Sequence, residues 1–325
     1  MTRLEPPPTG RARRGLRYLK TVPVLPSLVT LGNVFFGFLA MAKAADAVIL
    51  ATQNGMILSP AVLGKIEVAG LLLFVAMVFD ALDGAVARLT RQTSPFGAQL
   101  DSLADMVTFG VAPAFIAKVL IEFHVQPSLA VLPAHPKLYY VAAAIYVLCA
   151  AMRLARFNVE VQSADADDHQ EFAGLPSPAA AAVVASLLVF FCSLKDRDEQ
   201  SFFTDLLRDS GADAWIMWCL PVVLVVLGLL MVSRFPYPHV VVTFLRGRYS
   251  FPLLATVVIL VGLAALEWQF ALAVLTTGYV LVGIGLGMFR LITTGRFERG
   301  PELTEAALPD ADEPYDPPRS PPYLN

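Results

Sequence analysis

Charge is scarce in this chain. Asp, Glu, Lys and Arg make up 16% of its 325 residues, and hydrophobic residues make up 56%. Soluble domains carry about 25% charged residues. With a mean hydropathy of +0.63, the composition excludes an ordinary soluble domain. Cysteine is nearly absent: Cys149, Cys192 and Cys219 lie in or beside apolar segments, and none forms a C-x-x-C pair. They read as small apolar residues, not as a thiolate site or a disulfide framework. The four histidines (His124, His135, His169, His239) lack metal spacing. The N-terminus, M-T-R-L-E-P-P-P-T-G, lacks the apolar core and cleavage site of a signal peptide directly after it. There is no internal repeat.

What is present is a set of long, continuous apolar runs. Barrel strands would be about 10 residues long and alternating. Continuous runs indicate an all-α polytopic membrane protein. Spans are expected over 26–46, 67–88, 97–121, 138–157, 178–194, 214–233, 251–267 and 269–289. Residues 1–22 form a basic arm, with Arg11, Arg13, Arg14, Arg17 and Lys20 among Leu16, Tyr18 and Leu19. Such an arm suits an anionic membrane surface. Residues 23–240 form the main transmembrane domain, 241–290 an extra helical hairpin, and 291–325 a Pro-rich, acidic, disordered tail. With the N-terminus in the cytoplasm, 17 of the 24 Lys and Arg fall on inside segments and 7 outside, as the positive-inside rule requires. The expected location is the cell (inner) membrane, with membrane lipids as partners and no nucleic acid.

Four aspartates interrupt two of these runs. Asp80, Asp83 and Ala87 share a helical face at i, i+3 and i+7, with Gly84 beside them. Gly97, Asp101 and Asp105 share another at i, i+4 and i+8. The turn from Thr90 to Pro95 makes the two helices antiparallel neighbours. Small residues at Gly84, Ala87, Gly97 and Ala98 permit close approach or leave room for a ligand. A carboxylate in a membrane helix costs roughly 2.5–3.5 kcal/mol on insertion scales, so it is a functional candidate by default. Four facing carboxylates repel one another unless cations lie between them. Oxygen-only ligands select Mg²⁺ or Mn²⁺ (or Ca²⁺) over zinc. Two such ions about 3.5–4 Å apart serve in-line displacement at phosphorus. Arg88, one turn beyond Asp83 and Gly84, is placed to pair with a phosphate oxygen.

The pattern D-x2-D-G-x2-A-R-x8-G-x3-D-x3-D is met in full by Asp80, Asp83, Gly84, Ala87, Arg88, Gly97, Asp101 and Asp105. It resembles the signature of the CDP-alcohol phosphatidyltransferases. The resemblance implies a core of about six transmembrane helices, a homodimer and two divalent cations. It also implies transfer of a phosphatidyl group from a CDP-linked lipid to an alcohol, with release of CMP. By matching position, Asp80, Asp83 and Asp101 would hold one cation and Asp80, Asp101 and Asp105 the second. Asp105 would also be the general base. Gly84, Ala87 and Gly97 would make room for the CDP-lipid, and Arg88 and Ser94 would meet its phosphates. Thr30 and Asn33 would contact the nucleotide from the first helix. Ser27 departs from the family, which commonly has Pro-Asn there.

Four further segments resemble the phosphatidylserine synthase branch of that family, across roughly residues 20–240. They are T-V-P-V-L-P-S-L-V-T-L-G-N, R-L-A-R-F-N (153–158), F-A-G-L-P-S-P-A-A-A (172–181) and L-M-V-S-R-F-P-Y-P. The substrates expected from this are CDP-diacylglycerol and L-serine. Arg153 and Arg156 are candidates for the serine carboxylate, and Asn158 for its ammonium. The alternatives are the same chemistry on choline, glycerol phosphate or inositol phosphate, which would call for an aromatic cage or a denser basic cluster. A cation or proton transporter is the reading from another class, but it would favour inverted repeats and carboxylates at the midplane.

Overall fold

A computed structural model describes residues 24–55, 57–90, 94–124, 136–163, 174–196, 202–233 and 267–294, with 262 and 265 singly. Every regular element among them is helical. They are α1 Val24–Gln53, α2 Pro60–Thr90, α3 Pro95–Asp105, a π turn Met106–Val111, α4 Ala112–His124, α5 Pro136–Ser163, α6 Ser177–Lys195, α7 Phe202–Asp209, α8 Ala212–Val232 and α9 Trp268–Thr294. Seven helical stretches are long and apolar enough to cross a bilayer, with α3, the π turn and α4 counted as one. The architecture is thus that of a multi-pass membrane protein. The chain divides into two compact units, 1–287 and 288–325. Every site residue named below lies in the first. The basic arm, nearly all of the span expected over 251–267 and nearly all of the acidic tail lie outside the described residues.

The first hairpin is longer than the apolar runs alone suggest. α1 continues to Gln53, and α2 begins seven residues before the expected start. Where the added turns begin there is an ion-pair cluster, in which Lys43 of the expected span and Lys65 of the added start of α2 each approach Asp46 at 3.7 Å. Polar ends of this kind extend a helix beyond its hydrocarbon-buried length. Along the hairpin, Ala40, Ala44, Ala47 and Ala51 of α1 are fully buried with Val62, Ile66 and Ala69 of α2. Small residues let the two backbones approach, which is how helices associate without a hydrophobic drive between them. The opposite face of α1 exposes Leu28, Leu31, Phe35 and Phe38, a surface suited to lipid tails.

α6 is the most buried span. A Cβ at Gly70 of α2 would lie 2.8 Å from Val189 Cγ2 and 3.3 Å from the Ala185 carbonyl oxygen, so α2 and α6 meet nearly backbone to backbone. The short helix α7 was not expected from the sequence. Its Arg208 donates to the carbonyls of Ser193, Leu194 and Asp196 at 3.3, 2.9 and 2.5 Å. These are two of the last carbonyls of α6 and that of the residue capping it, at a helix end where carbonyls lack partners within their own helix. α9 rests on α6 through the Ser186 and Thr276 hydroxyls, 2.7 Å apart, and through Phe190 and Phe270, whose centroids are 5.7 Å apart.

Helix direction alternates, so the start of α1, the end of α2, the start of α3, the end of α5, the start of α6 and the end of α8 gather at one end of the bundle. That end holds the four aspartates.

Candidate active site

α2 supplies Asp80 and Asp83, and α3 supplies Asp101 and Asp105. One oxygen each from Asp80, Asp101 and Asp105 lies within 4.8 Å of the others. Asp83 stands outside this triplet. It is 6% exposed, and the Thr30 hydroxyl of α1 is near enough to interact with its carboxylate. α3 is fixed at its start by Ser94, whose hydroxyl accepts from the Gly97 amide at 3.0 Å. This is an N-cap with Pro95 at the first position. It occupies one face of the hydroxyl proposed for phosphate binding and leaves its proton to donate.

α1 closes the site from the side. Ser27, Thr30 and Asn33 follow one another at helical spacing, and all three are buried. The Asn33 amide donates to Asp105 Oδ1 at 3.3 Å. Gly37, one turn on, permits this approach: a Cβ there would lie 2.5 Å from Thr108 Oγ1 and 3.0 Å from its Cα. On α2, a Cβ at Gly84 would lie 3.6 Å from Arg88 Nη1. The exposed Arg88 therefore folds back along the glycine.

The 153–158 segment divides into distinct environments. Arg153 lies close enough to Asp105 for their charges to interact, and its Nη1 donates to Ser177 Oγ at 2.9 Å. Ser177 opens α6 and is fully buried. It is held there by Gly174, whose φ of 99° and contact with α8 leave no room for a side chain. A Cβ would lie 2.7 Å from the Met231 carbonyl oxygen and 2.8 Å from that of Ser233. The Leu175 amide donates to the Leu230 carbonyl at 3.1 Å. Asn158 Oδ1 accepts from Ser102, next to Asp101 on α3, at 2.9 Å. Arg156 is half-buried and engaged in an interaction of its own. Ser102 and Ser177 were not singled out from the sequence, although Ser177 lies inside the G-L-P-S-P segment.

Five buried side-chain atoms among the described residues lack a hydrogen-bond partner: Ser27 Oγ, Asn33 Oδ1, Asp83 Oδ2, Asp101 Oδ1 and Arg153 Nε. All five belong to residues named above. Buried polar atoms are nearly always paired, so a cluster of orphans calls for a ligand or an ion. The orphaned carboxylate oxygens are hard donors, and the triplet has the ligand count for a divalent cation. The residues therefore fit a hard divalent cation with an anionic substrate group near Arg153.

The model of the CDP-alcohol phosphatidyltransferase family matches residues 23–227. The chain belongs to that family. The match runs from the start of α1 into α8, so the phosphatidyltransferase region includes every site residue named above, and α9 lies beyond it. Among curated relatives, a CDP-diacylglycerol–serine O-phosphatidyltransferase of Helicobacter pylori is 29% identical over 269 residues, covering 83% of this chain and 93% of the relative. The protein of the same name from Methanocaldococcus jannaschii is 36% identical over 167 residues, 51% of this chain and 62% of its own length. An archaetidylserine synthase of Methanothermobacter thermautotrophicus is 28% identical over 219 residues, 66% of this chain and 70% of the relative.

Proposed function

We propose that this phosphatidyltransferase moves the phosphatidyl group of CDP-diacylglycerol onto the hydroxyl of L-serine, giving phosphatidylserine and CMP. The reading is carried by Arg153, which sits between the carboxylate cluster and the buried Ser177. The names of the relatives above, one covered over 93% of its length, point to the same acceptor.

Asp80, Asp83 and Asp101 would hold one divalent cation, and Asp80, Asp101 and Asp105 another, Mg²⁺ or Mn²⁺. When bound, these ions supply charge neutralisation at the diphosphate. Asp105, aligned by Asn33, accepts the proton of the serine hydroxyl. The serine oxygen then forms a bond to the phosphorus that carries the diacylglycerol. The bond from that phosphorus to the bridging oxygen breaks, and CMP departs with the electron pair. A positioned base contributes typically about 10²–10⁴-fold. Arg153 binds the serine carboxylate, with Arg156 and Asn158 beside it. Gly84, Ala87 and Gly97 leave space for the cytidine, Arg88 and Ser94 meet its phosphates, and Thr30 and Asn33 contact it from α1.

The site end faces the cytoplasm of the inner membrane. There the nucleotide and serine stay in water while the acyl chains lie among the helices and lipids. The active protein is a homodimer. The test is CMP release by purified protein from CDP-diacylglycerol with Mn²⁺ or Mg²⁺ and a panel of serine, glycerol phosphate, inositol phosphate and choline. Release with serine alone is the expected result. Release with another alcohol and none with serine would overturn the acceptor.

A further inference from the structure

Immediately after Asp105 the helix changes its winding. Met106–Val111 forms a π turn, with the Ala112 amide bonded to the Val107 carbonyl five residues back. One residue inserted into an α-helix turns everything beyond it by about 100°. The insertion separates two tasks. Upstream, α3 directs Asp101 and Asp105 towards α2. Downstream, α4 buries Ile116, Ala117, Leu120 and Ile121 in the core.

Such a turn persists only where its neighbours hold it, and two side chains do so here. Thr108 Oγ1 donates to the Asn33 carbonyl at 3.3 Å, and the amide of the same Asn33 reaches Asp105. From the other side, the Tyr146 hydroxyl of α5 donates to the Phe109 carbonyl at 3.0 Å. Tyr146 is fully buried. Its backbone is clamped by α8: a Cβ at Gly228 would lie 3.3 Å from Tyr146 Cα and from Cys149 Cβ. Gly110 presses on α5 as well, since a Cβ there would lie 3.3 Å from the Ala150 Cβ. A phenol in an apolar interior costs free energy unless it is bonded, and phenylalanine would fill the same volume. The hydroxyl is therefore explained by the carbonyl it holds.

We propose that Tyr146 is a positioning residue for Asp105, acting through the Phe109 carbonyl and the π turn. It touches neither substrate nor cation. It sets the rotation of the last turn of α3, and with it the distance between Asp105 and the carboxylates of Asp80 and Asp101. The inference rests on the proposed role of Asp105.

The test is Tyr146→Phe in the full chain, purified in detergent, with three readouts: kcat, the two KM values, and Mn²⁺ affinity measured by electron paramagnetic resonance without substrate. The expected result is a kcat lower by about tenfold to a hundredfold, the range for a displaced reacting group. Both KM values stay within about twofold, and Mn²⁺ binds several-fold more weakly. A folded Tyr146→Phe protein with unchanged kcat and unchanged Mn²⁺ affinity overturns the proposal, whatever its melting temperature. Should that variant not fold, Thr108→Val and Thr108→Ser probe the same turn. The valine is expected to lower kcat and Mn²⁺ affinity and the serine to restore both, and wild-type values in the valine variant overturn the proposal. Mn²⁺ affinity reads the carboxylate geometry whether or not Asp105 is the base. An active Asp105→Asn protein would therefore overturn the base assignment separately from this inference.

Discussion

The side-chain amide of Asn33 donates to the carboxylate of Asp105 at 3.3 Å, across 72 positions of sequence. Asn33 is fully buried on α1, and Asp105 closes α3. An amide N–H can only donate, so the bond holds one lone pair of Asp105 towards α1 and leaves the carboxylate's remaining lone pairs for the cluster with Asp80 and Asp101. The second aspartate row is thus fixed from outside the α2–α3 pair.

Replacing Asn33 with Leu keeps the volume and removes the donor. The expected outcome is a fall in kcat of about tenfold or more, since a misdirected group can cost about 10²-fold. Asn33→Asp should fall further, because it sets a fifth carboxylate against Asp105. Steady-state CMP release by the purified variants is the measurement. Wild-type kcat in Asn33→Leu would detach α1 from the chemistry.

Asp105→Asn removes a proton acceptor while keeping the shape. Turnover should drop by at least about 10², the lower end of what a positioned base contributes. CDP-diacylglycerol binding should persist, because Gly84, Ala87, Arg88 and the other three aspartates are untouched. Single-turnover CMP release and equilibrium binding separate the two effects. Retained turnover would assign the base elsewhere.

The metal requirement has its own signature. Chelation should abolish CMP release, and Mg²⁺ or Mn²⁺ should restore it, as oxygen-only donors require. Asp83 lies outside the tight triplet. Its substitution by Asn should weaken the apparent metal affinity less than that of Asp101, which belongs to both proposed ligand sets. A titration of activity against Mn²⁺ for the two variants decides this. Equal losses would place Asp83 on the same footing as the triplet.

How much of this could be read from the chain depends on distance along it. The aspartate rows were legible because each lies on one helix, where a 3.6-residue period fixes the shared face, and seven of the eight expected spans were legible because hydrocarbon demands long apolar runs. The eighth, over 251–267, lies almost wholly outside the described residues. What the sequence hid are features set by partners on other helices. The π turn breaks no apolar pattern, since Met106–Val111 is as hydrophobic as its surroundings, and it is held by Tyr146 and Asn33 from elsewhere. α7 is short and amphipathic, and only the open carbonyls at the C-terminal end of α6 and its cap give Arg208 its role. Ser177 and Ser102 carry no signal of their own in the sequence, and their part in the site comes from contact with Arg153 and Asn158 on another helix.

Gly174 offers a test of how the start of α6 is held. At φ 99°, with two carbonyl oxygens under 3 Å from any Cβ, alanine is both strained and crowded. Backbone strain of this kind costs of order 1–3 kcal/mol. Gly174→Ala should lower the melting temperature in detergent and raise the KM for serine, because Ser177 moves with the turn. An unchanged KM with a lowered melting temperature would confine the loop to stability.

The acceptor assignment turns on Arg153. A half-buried guanidinium with one bond to Ser177 and a buried, unpartnered Nε keeps donors free for a planar anion. A carboxylate accepts two parallel N–H bonds from such a fork. Arg153→Ala should therefore raise the KM for serine by at least tenfold, about 1.4 kcal/mol, and leave the KM for CDP-diacylglycerol within about twofold. Arg153→Lys keeps the charge but loses the fork, so it should recover only part of the affinity. Ser177→Ala removes the support and leaves the guanidinium, so it should produce a smaller rise. Arg156→Ala is the comparison, with a serine KM effect of its own if both arginines meet the carboxylate. A serine KM unchanged in both arginine variants would move the acceptor site elsewhere. A larger rise for the CDP-lipid than for serine would instead assign Arg153 to the diphosphate, leaving the reaction as proposed and the acceptor pocket to be sought elsewhere in the site.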